Sequence, residues 1–184
     1  AMQLDANIEP DSKDWTWVLE QQCPDCGFDA SSFDPPTTPS AVVDNAMAWL
    51  ELLDDPRASQ RPSPTQWSAV EYASHVRDVF TLFDRRLDLM LTLDDPLFEN
   101  WDQDVTAIEQ DYAHADAGTV VQELHVAARE IAARFGDVTG EQWERTGRRS
   151  DGAKFTVASF AKYFMHDPVH HVHDVRQGYE SLRP

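Results

Sequence analysis

Basic residues are scarce in this chain: lysine and arginine total 15 against 33 acidic residues, a formal net charge of −18. A field of that sign repels a phosphate backbone, so no nucleic-acid partner is expected. Long apolar runs are missing as well. No stretch reaches the roughly 18 residues needed to span a bilayer, and no secretory hydrophobic segment opens the chain. No membrane partner is therefore expected, and the expected location is cytoplasmic. There is no internal repeat, no glycine-rich phosphate loop and no G-x-S-x-G elbow, which argues against repeat folds, P-loop nucleotide chemistry and α/β-hydrolase chemistry.

Cysteine is nearly absent. The only two stand together in Cys23-Pro24-Asp25-Cys26. Two thiolates cannot fill the four-ligand shell of a structural zinc by themselves. A redox CxxC needs a βαβ context, and strand signals are almost lacking here. Three options stay open: reduced packing thiols, a local disulfide, or half a zinc site completed by a histidine or a partner chain. The preferred reading is that the pair carries no chemistry.

What the chain does contain is helix. Its 184 residues suit one domain with a full core. Residues 1–37 read as an irregular arm, broken by Pro10, Pro24, Pro35 and Pro36. Within it Trp15 and Trp17 alternate with Thr16, a weak strand pattern, and read as anchors that pin the arm to the body. The bundle proper is expected over 38–184. Thr38 as N-cap and Pro39 at the first helical position open a first helix, with Val42, Val43, Ala46, Trp49, Leu50 and Leu53 at helical spacing. Asp54-Asp55-Pro56 stops it.

Ser68-Ala69-Val70-Glu71 is a capping box, and the helix it opens runs to about Leu93. Its apolar stripe is Ala69, Val76, Phe80, Phe83, Leu87 and Met90. His75 lies on the shoulder of that stripe, beside Tyr72 and Val79. Residues 97–117 form a long acidic connection with a short helix around Val105–Tyr112. Such connections often pack over a site, and Trp101, with Asn100 and Asp102, is a candidate to line a substrate pocket; plain packing is the alternative for Trp101.

Thr119-Val120-Val121-Gln122 predicts the start of a third helix, closed by Gly136 or Gly140. His114 and His125 read as ordinary surface residues. Residues 140–154 are the one positively inclined loop, a candidate to meet an acidic substrate. Thr156 caps a last helix that reaches about Tyr179. Four helices with long first and second connections predict an all-α protein, a four-helix bundle.

The last helix carries HDPVHHVHDV, residues 166–175, with four of the seven histidines. Two i,i+4 pairs are available for chelation, His166 with His170 and Asp167 with His171, because such pairs stack on one face. On a helical wheel Asp167 and His171 fall at the edge of the apolar arc of Val157, Phe160, Ala161, Phe164, Met165, Val172 and Val175. His166 and His170 fall near the middle of the polar face. The expected metal ligands are thus His75, Asp167 and His171, with His166 and His170 as alternatives. Pro168 complicates the choice: it kinks a helix from inside, and Asp-Pro is also a good N-cap and N1 pair, so Asp167 could merely cap a restarted helix.

Trp67-Ser68-x2-Glu71-x3-His75, followed about ninety residues on by a histidine-rich last helix, resembles the DinB-like superfamily over roughly residues 38–180. That superfamily includes bacillithiol transferases and mycothiol-dependent maleylpyruvate isomerases. The resemblance implies an up-down-down-up four-helix bundle holding a divalent metal, zinc or nickel, and a homodimer would fit it. It implies one histidine ligand on the second helix, which matches His75, and a pair on the last. The isomerase pattern E-x3-H-x2-D-L matches Asp167, His171, Asp174 and Val175. The transferase pattern H-x2-H-H matches Asp167, His170 and His171. The departure is an aspartate where histidine or glutamate is usual.

The expected function is a divalent-metal-dependent enzyme that activates a low-molecular-weight thiol or water for S-transfer, isomerisation or hydrolysis of a small molecule. The alternative is a non-enzymatic bundle that holds a metal or small ligand.

Overall fold

The computed structural model describes Ile8 and residues 14–184; Pro10 lies outside the described residues. The long helices are α1 (Thr38–Leu53), α2 (Ala69–Thr92), α4 (Ala117–Gly136) and α5 (Val157–Ser181), with a short α3 (Gln103–Glu109) between α2 and α4.

Local chemistry accounts for their ends. The capping box before α2 is complete: Ser68 Oγ accepts from the Glu71 amide and Glu71 accepts from the Ser68 amide. Glu71 also receives Arg61 through both carboxylate oxygens, at 2.8 and 2.7 Å. Thr156 and Ser159 cap α5 in the same reciprocal way. Two starts differ from expectation. A 3-10 turn, Pro35–Thr37, precedes α1, so Thr37 is its N-cap and Thr38 its first residue. α4 begins at Ala117 because Asp116, not Thr119, is the cap; its carboxylate accepts from the Thr119 amide. The α3 segment starts at Gln103, where Asp102 caps it, and ends at Glu109, and a 3-10 turn follows over Tyr112–His114.

Side-chain pairs fix the topology. Arg77 near the start of α2 meets Glu123 near the start of α4, and Arg134 near the end of α4 meets Asp84 and Asp88 further along α2. α2 and α4 are therefore parallel. Tyr179 near the end of α5 donates to the carbonyl of Leu52 at the end of α1, so these two are also parallel. α2 and α5 oppose each other: Phe83 packs on Phe160 and Phe164 while His75 packs on His171. The order is up-down-down-up. The core runs along this seam and against α4, with Phe80, Phe135, Phe160 and Phe164 all buried.

A small hairpin, β1 (Thr146–Arg148) with β2 (Lys154–Thr156), closes one end. Strands of three residues carry no readable alternation, so the sequence shows this segment only as a polar loop. Among the described residues no helix is long and apolar enough to cross a membrane.

Trp15 and Trp17 lie in a 3-10 helix, Trp15–Leu19, not in an extended strand. Asp14 caps it by accepting from the Thr16 amide, which turns the chain where alternation alone would have kept it extended. This segment and the turn after it pack across α5.

Candidate metal centre

α5 runs unbroken through Pro168. Asp167 is accordingly a mid-helix residue and not the cap of a restarted helix, and the i,i+4 geometry holds. Asp167 and His171 point towards α2, where His75 sits fully buried. The capping box at Ser68 sets the register that places His75 there, two turns into α2.

His75 Nε2 lies 3.3 Å from Asp167 Oδ1, and His171 Nε2 lies 3.6 Å from the same oxygen. All three donor atoms fall within 4.8 Å of one another. A tetrahedral zinc with bonds of about 2.0–2.1 Å has N···O edges of about 3.3 Å, so the spacing suits a cation at the centre. The orphaned atoms point the same way. Both nitrogens of His75 and Oδ1 of Asp167 are buried with no hydrogen-bond partner among the described residues. Buried polar atoms left unpaired are rare and need a reason; a cation shared with His171 Nε2 would supply it for His75 Nε2 and Asp167 Oδ1, whose lone pairs converge.

The electrostatics agree with a site built for positive charge. Burial works to raise the Asp167 carboxyl, but the imidazoles of His75 and His171 outweigh it and hold the group down at about 2. His171 Nδ1 stands 2.9 Å from Asp174 Oδ2. A carboxylate only accepts, so Nδ1 carries the proton and Nε2 keeps its lone pair for the centre. Burial works to raise Asp174 too, but its hydrogen bond to His171 together with the surrounding imidazoles of His171, His170 and His173 holds it below its usual value.

Aromatic rings surround the centre. Trp101 stacks on His75 at 5.7 Å and 20°, Trp67 lies 5.6 Å from the same ring, and Tyr72 lies 5.0 Å from His171. A cavity of about 250 Å³ opens onto Asp167, lined among others by Trp15, Trp101, Asn100, Arg86, Arg149 and Tyr163. Its size admits a small molecule.

Arg86 is the residue in this cavity that sequence reasoning missed; a single arginine at the edge of an apolar stripe gives no signal. Burial pulls its guanidinium down to about 10, and Arg149 nearby adds to the effect. Among the described residues it has no carboxylate partner; it donates to the Glu99 carbonyl and lies over the Phe83 and Phe98 rings. Arg149, from the positively inclined loop, is already paired with Asp14 and Asp151 and donates to Tyr163. Asp102, read as a pocket residue, is instead the cap of α3. His114 is exposed against Asp111. A second, apolar cavity of about 300 Å³ lies against Trp67 and Ile108, but its half-buried Arg61 and buried Glu71 are paired with each other.

The alternative ligands behave unexpectedly. The wheel puts His166 and His170 in the polar face, yet His166 is 1% exposed. The arm covers them: the Trp15 ring lies 4.8 Å from His166 and 4.7 Å from His170, and Phe28 lies 5.8 Å from His166. They face away from His75, towards Cys23 and Cys26.

An up-down-down-up bundle with two imidazoles and a carboxylate converging from facing helices defines a class, the helical bundles that hold a metal between helices. The model of the DinB superfamily matches residues 40–175, well over half of the chain, and the chain belongs to that superfamily. The solved structure of YfiT from Bacillus subtilis, described as "a probable metal-dependent hydrolase with an unusual four-helix bundle topology", matches with a TM-score of 0.70. The two are 16% identical, and the match covers 79% of this chain and 86% of that one. At that identity the likeness establishes the fold. No curated protein matches this chain.

Proposed function

We propose that this chain is a divalent-metal-dependent enzyme that turns over a small, negatively charged molecule, using a low-molecular-weight thiol or water as the nucleophile. The observation that carries the reading is the convergence of His75, Asp167 and His171 on one point beside a cavity that holds an uncompensated arginine. A divalent cation with three protein ligands supplies Lewis acidity and lowers the pKa of a thiol or water that reaches it.

The chain's own residues do the rest. Asp174 holds the His171 tautomer. Trp101 and Trp67 fix the plane of His75 and keep the site dry, which strengthens every charge interaction inside it. Arg86 offers its fork to a carboxylate or phosphate on the substrate, and a planar guanidinium suits such bidentate contact. Arg149 holds the Tyr163 hydroxyl and ties the arm to the cavity wall through Asp14.

The likeness to YfiT supports water as the nucleophile, and the superfamily's thiol-dependent members support a thiol. Zinc and nickel both suit the donor set of two imidazoles and a carboxylate. A second reading, a bundle that holds metal without turnover, rests on the short Asp167 side chain, which stands where the family's pattern has histidine or glutamate.

The test compares metal-free and zinc- or nickel-loaded protein on anionic esters and amides, and on anionic electrophiles offered with a thiol. The proposal expects turnover only in the loaded protein, lost in His75→Ala. In Arg86→Ala the loss should fall mainly on KM, about 10–100-fold, as for one desolvated charge contact. Titrating thiol against loaded protein separates the two nucleophiles, because only the thiol route needs a thiol to reach the metal. Stoichiometric metal with no turnover of any substrate would favour the second reading.

A further inference from the structure

The Cys23-Cys26 pair does not stand alone. Cys23, Cys26, His166 and His170 each offer a ligand atom, and all four lie within 4.8 Å of one another. We propose that these four residues form a second metal site, a tetrahedral Cys2His2 zinc centre that fastens the N-terminal arm across α5.

The geometry fits the ion. Cys23 Sγ lies 3.6 Å from His170 Nδ1. A tetrahedron with Zn–S of about 2.3 Å and Zn–N of about 2.0–2.1 Å has S···N edges of about 3.6 Å. His166 is the second, independent observation: it is buried, and neither of its ring nitrogens has a hydrogen-bond partner among the described residues. Stripping an imidazole of water and of every partner is costly unless a ligand takes up its lone pair. Both cysteines are free and no disulfide joins them.

The backbone around the thiols is preset for this use. Gly27 adopts φ +79, a conformation strained for any other residue, and lets the chain reverse just after Cys26. The reversal is closed by the Gly27 amide donating to the Cys23 carbonyl and the Cys23 amide donating to the Phe28 carbonyl. It also aims the Phe28 amide at the Cys26 sulfur, a contact that favours thiolate. Without a cation, burial pushes the Cys26 thiol up to about 12 and the Cys23 thiol beside it adds to this, so Cys26 is held as the thiol. Binding replaces two S–H bonds with two metal–sulfur bonds and releases about two protons per ion, with no change of oxidation state; both imidazoles bind neutral.

The two sites interleave on one helix. His166 and His170 serve the arm side, and Asp167 and His171, one residue on, serve the bundle side. A helix turns by about 100° per residue, so adjacent i,i+4 pairs face different neighbours. Trp15 links the two, resting on His166, His170 and His171 and lining the cavity beside Asp167. The second metal thereby sets one wall of the cavity.

The test is cobalt(II) titration of the chelator-treated full chain, in wild type, His171→Ala and the double variant Cys23→Ser/Cys26→Ser. We expect a sulfur-to-cobalt charge-transfer band with tetrahedral visible bands in wild type and in His171→Ala, and no such band in the double variant. Wild type should take up about two ions per chain and each variant about one. The wild-type protein alone also decides the matter if the double variant fails to fold, because zinc should protect both thiols from alkylation. Saturating cobalt without a sulfur band, or thiols alkylated equally fast with and without zinc, would overturn the site. The two ligand sets share no residue. Loss of the sulfur signal with His171-dependent metal retained therefore refutes this site and leaves the first intact.

Discussion

Asp174→Ala probes how the metal centre is held without touching a ligand. Asp174 Oδ2 accepts a hydrogen bond from His171 Nδ1 at 2.9 Å, within hydrogen-bond range. Its other oxygen stands 3.6 Å from His170 Nε2, beyond that range. Removing a carboxylate that orients a metal-bound histidine weakens binding by about 10–100-fold, which is about 1.4–2.7 kcal/mol. The loss should fall on the His171 centre, and the His170 side should change far less. Competition against a zinc chelator reads the affinity, with Cys23→Ser/Cys26→Ser as background to isolate the His171 centre. Asp174→Asn, whose amide oxygen still accepts from Nδ1, should restore most of the affinity and so separate the hydrogen bond from the charge. A Kd for zinc unchanged within about twofold in Asp174→Ala, with the fold intact by circular dichroism, would show that Asp174 does not hold His171 for the metal.

His75→Ala should abolish binding at the His171 centre and His170→Ala should not, as read by metal affinity in the cysteine double variant. Phe164, fully buried against Phe80, Phe83 and Phe135, should lose about 3–5 kcal/mol on change to alanine, measured by urea denaturation. Glu71→Ala removes both a cap and the partner of the half-buried Arg61, and about 3 kcal/mol is expected in the same assay. For metal-free protein, burial and the neighbouring His170 push His166 from its usual 6.5 down to about 4. The unfolded chain then binds a proton that the folded chain refuses. Stability from this group is full above pH 6.5 and is lost as pH falls towards 4, by about 3 kcal/mol. His166→Phe should flatten that slope in denaturation curves at stepped pH, and an unchanged slope would contradict it.

What was legible in the sequence was what is encoded locally. The Ser68 capping box and the apolar stripe after it place α2 and, with it, the angle of His75. The stripe of α5 gives the angle of Asp167 and His171, and continuity through Pro168 preserves it. Helix ends were less legible where two capping residues compete, as Asp116 and Thr119 do. The covered face of α5 could not be read at all. Imidazole counts as polar on a wheel, and the partners that bury His166 and His170 arrive from Trp15, Cys23 and Phe28, more than 130 residues upstream. The signal that was available was the matching spacing of two short motifs, C-x2-C and H-x3-H, whose meaning depended on a contact that no local pattern records. Arg86 escaped for a similar reason: its role is set by the absence of a partner across the cavity.

The most direct test of the account is the metal content of the purified chain by mass spectrometry, wild type beside His171→Ala. The account predicts that the variant carries about one divalent ion per chain fewer than wild type after both are loaded with zinc or nickel. Equal metal in the two proteins, or none in wild type after loading, would contradict it and leave the histidines of α2 and α5 as packing residues.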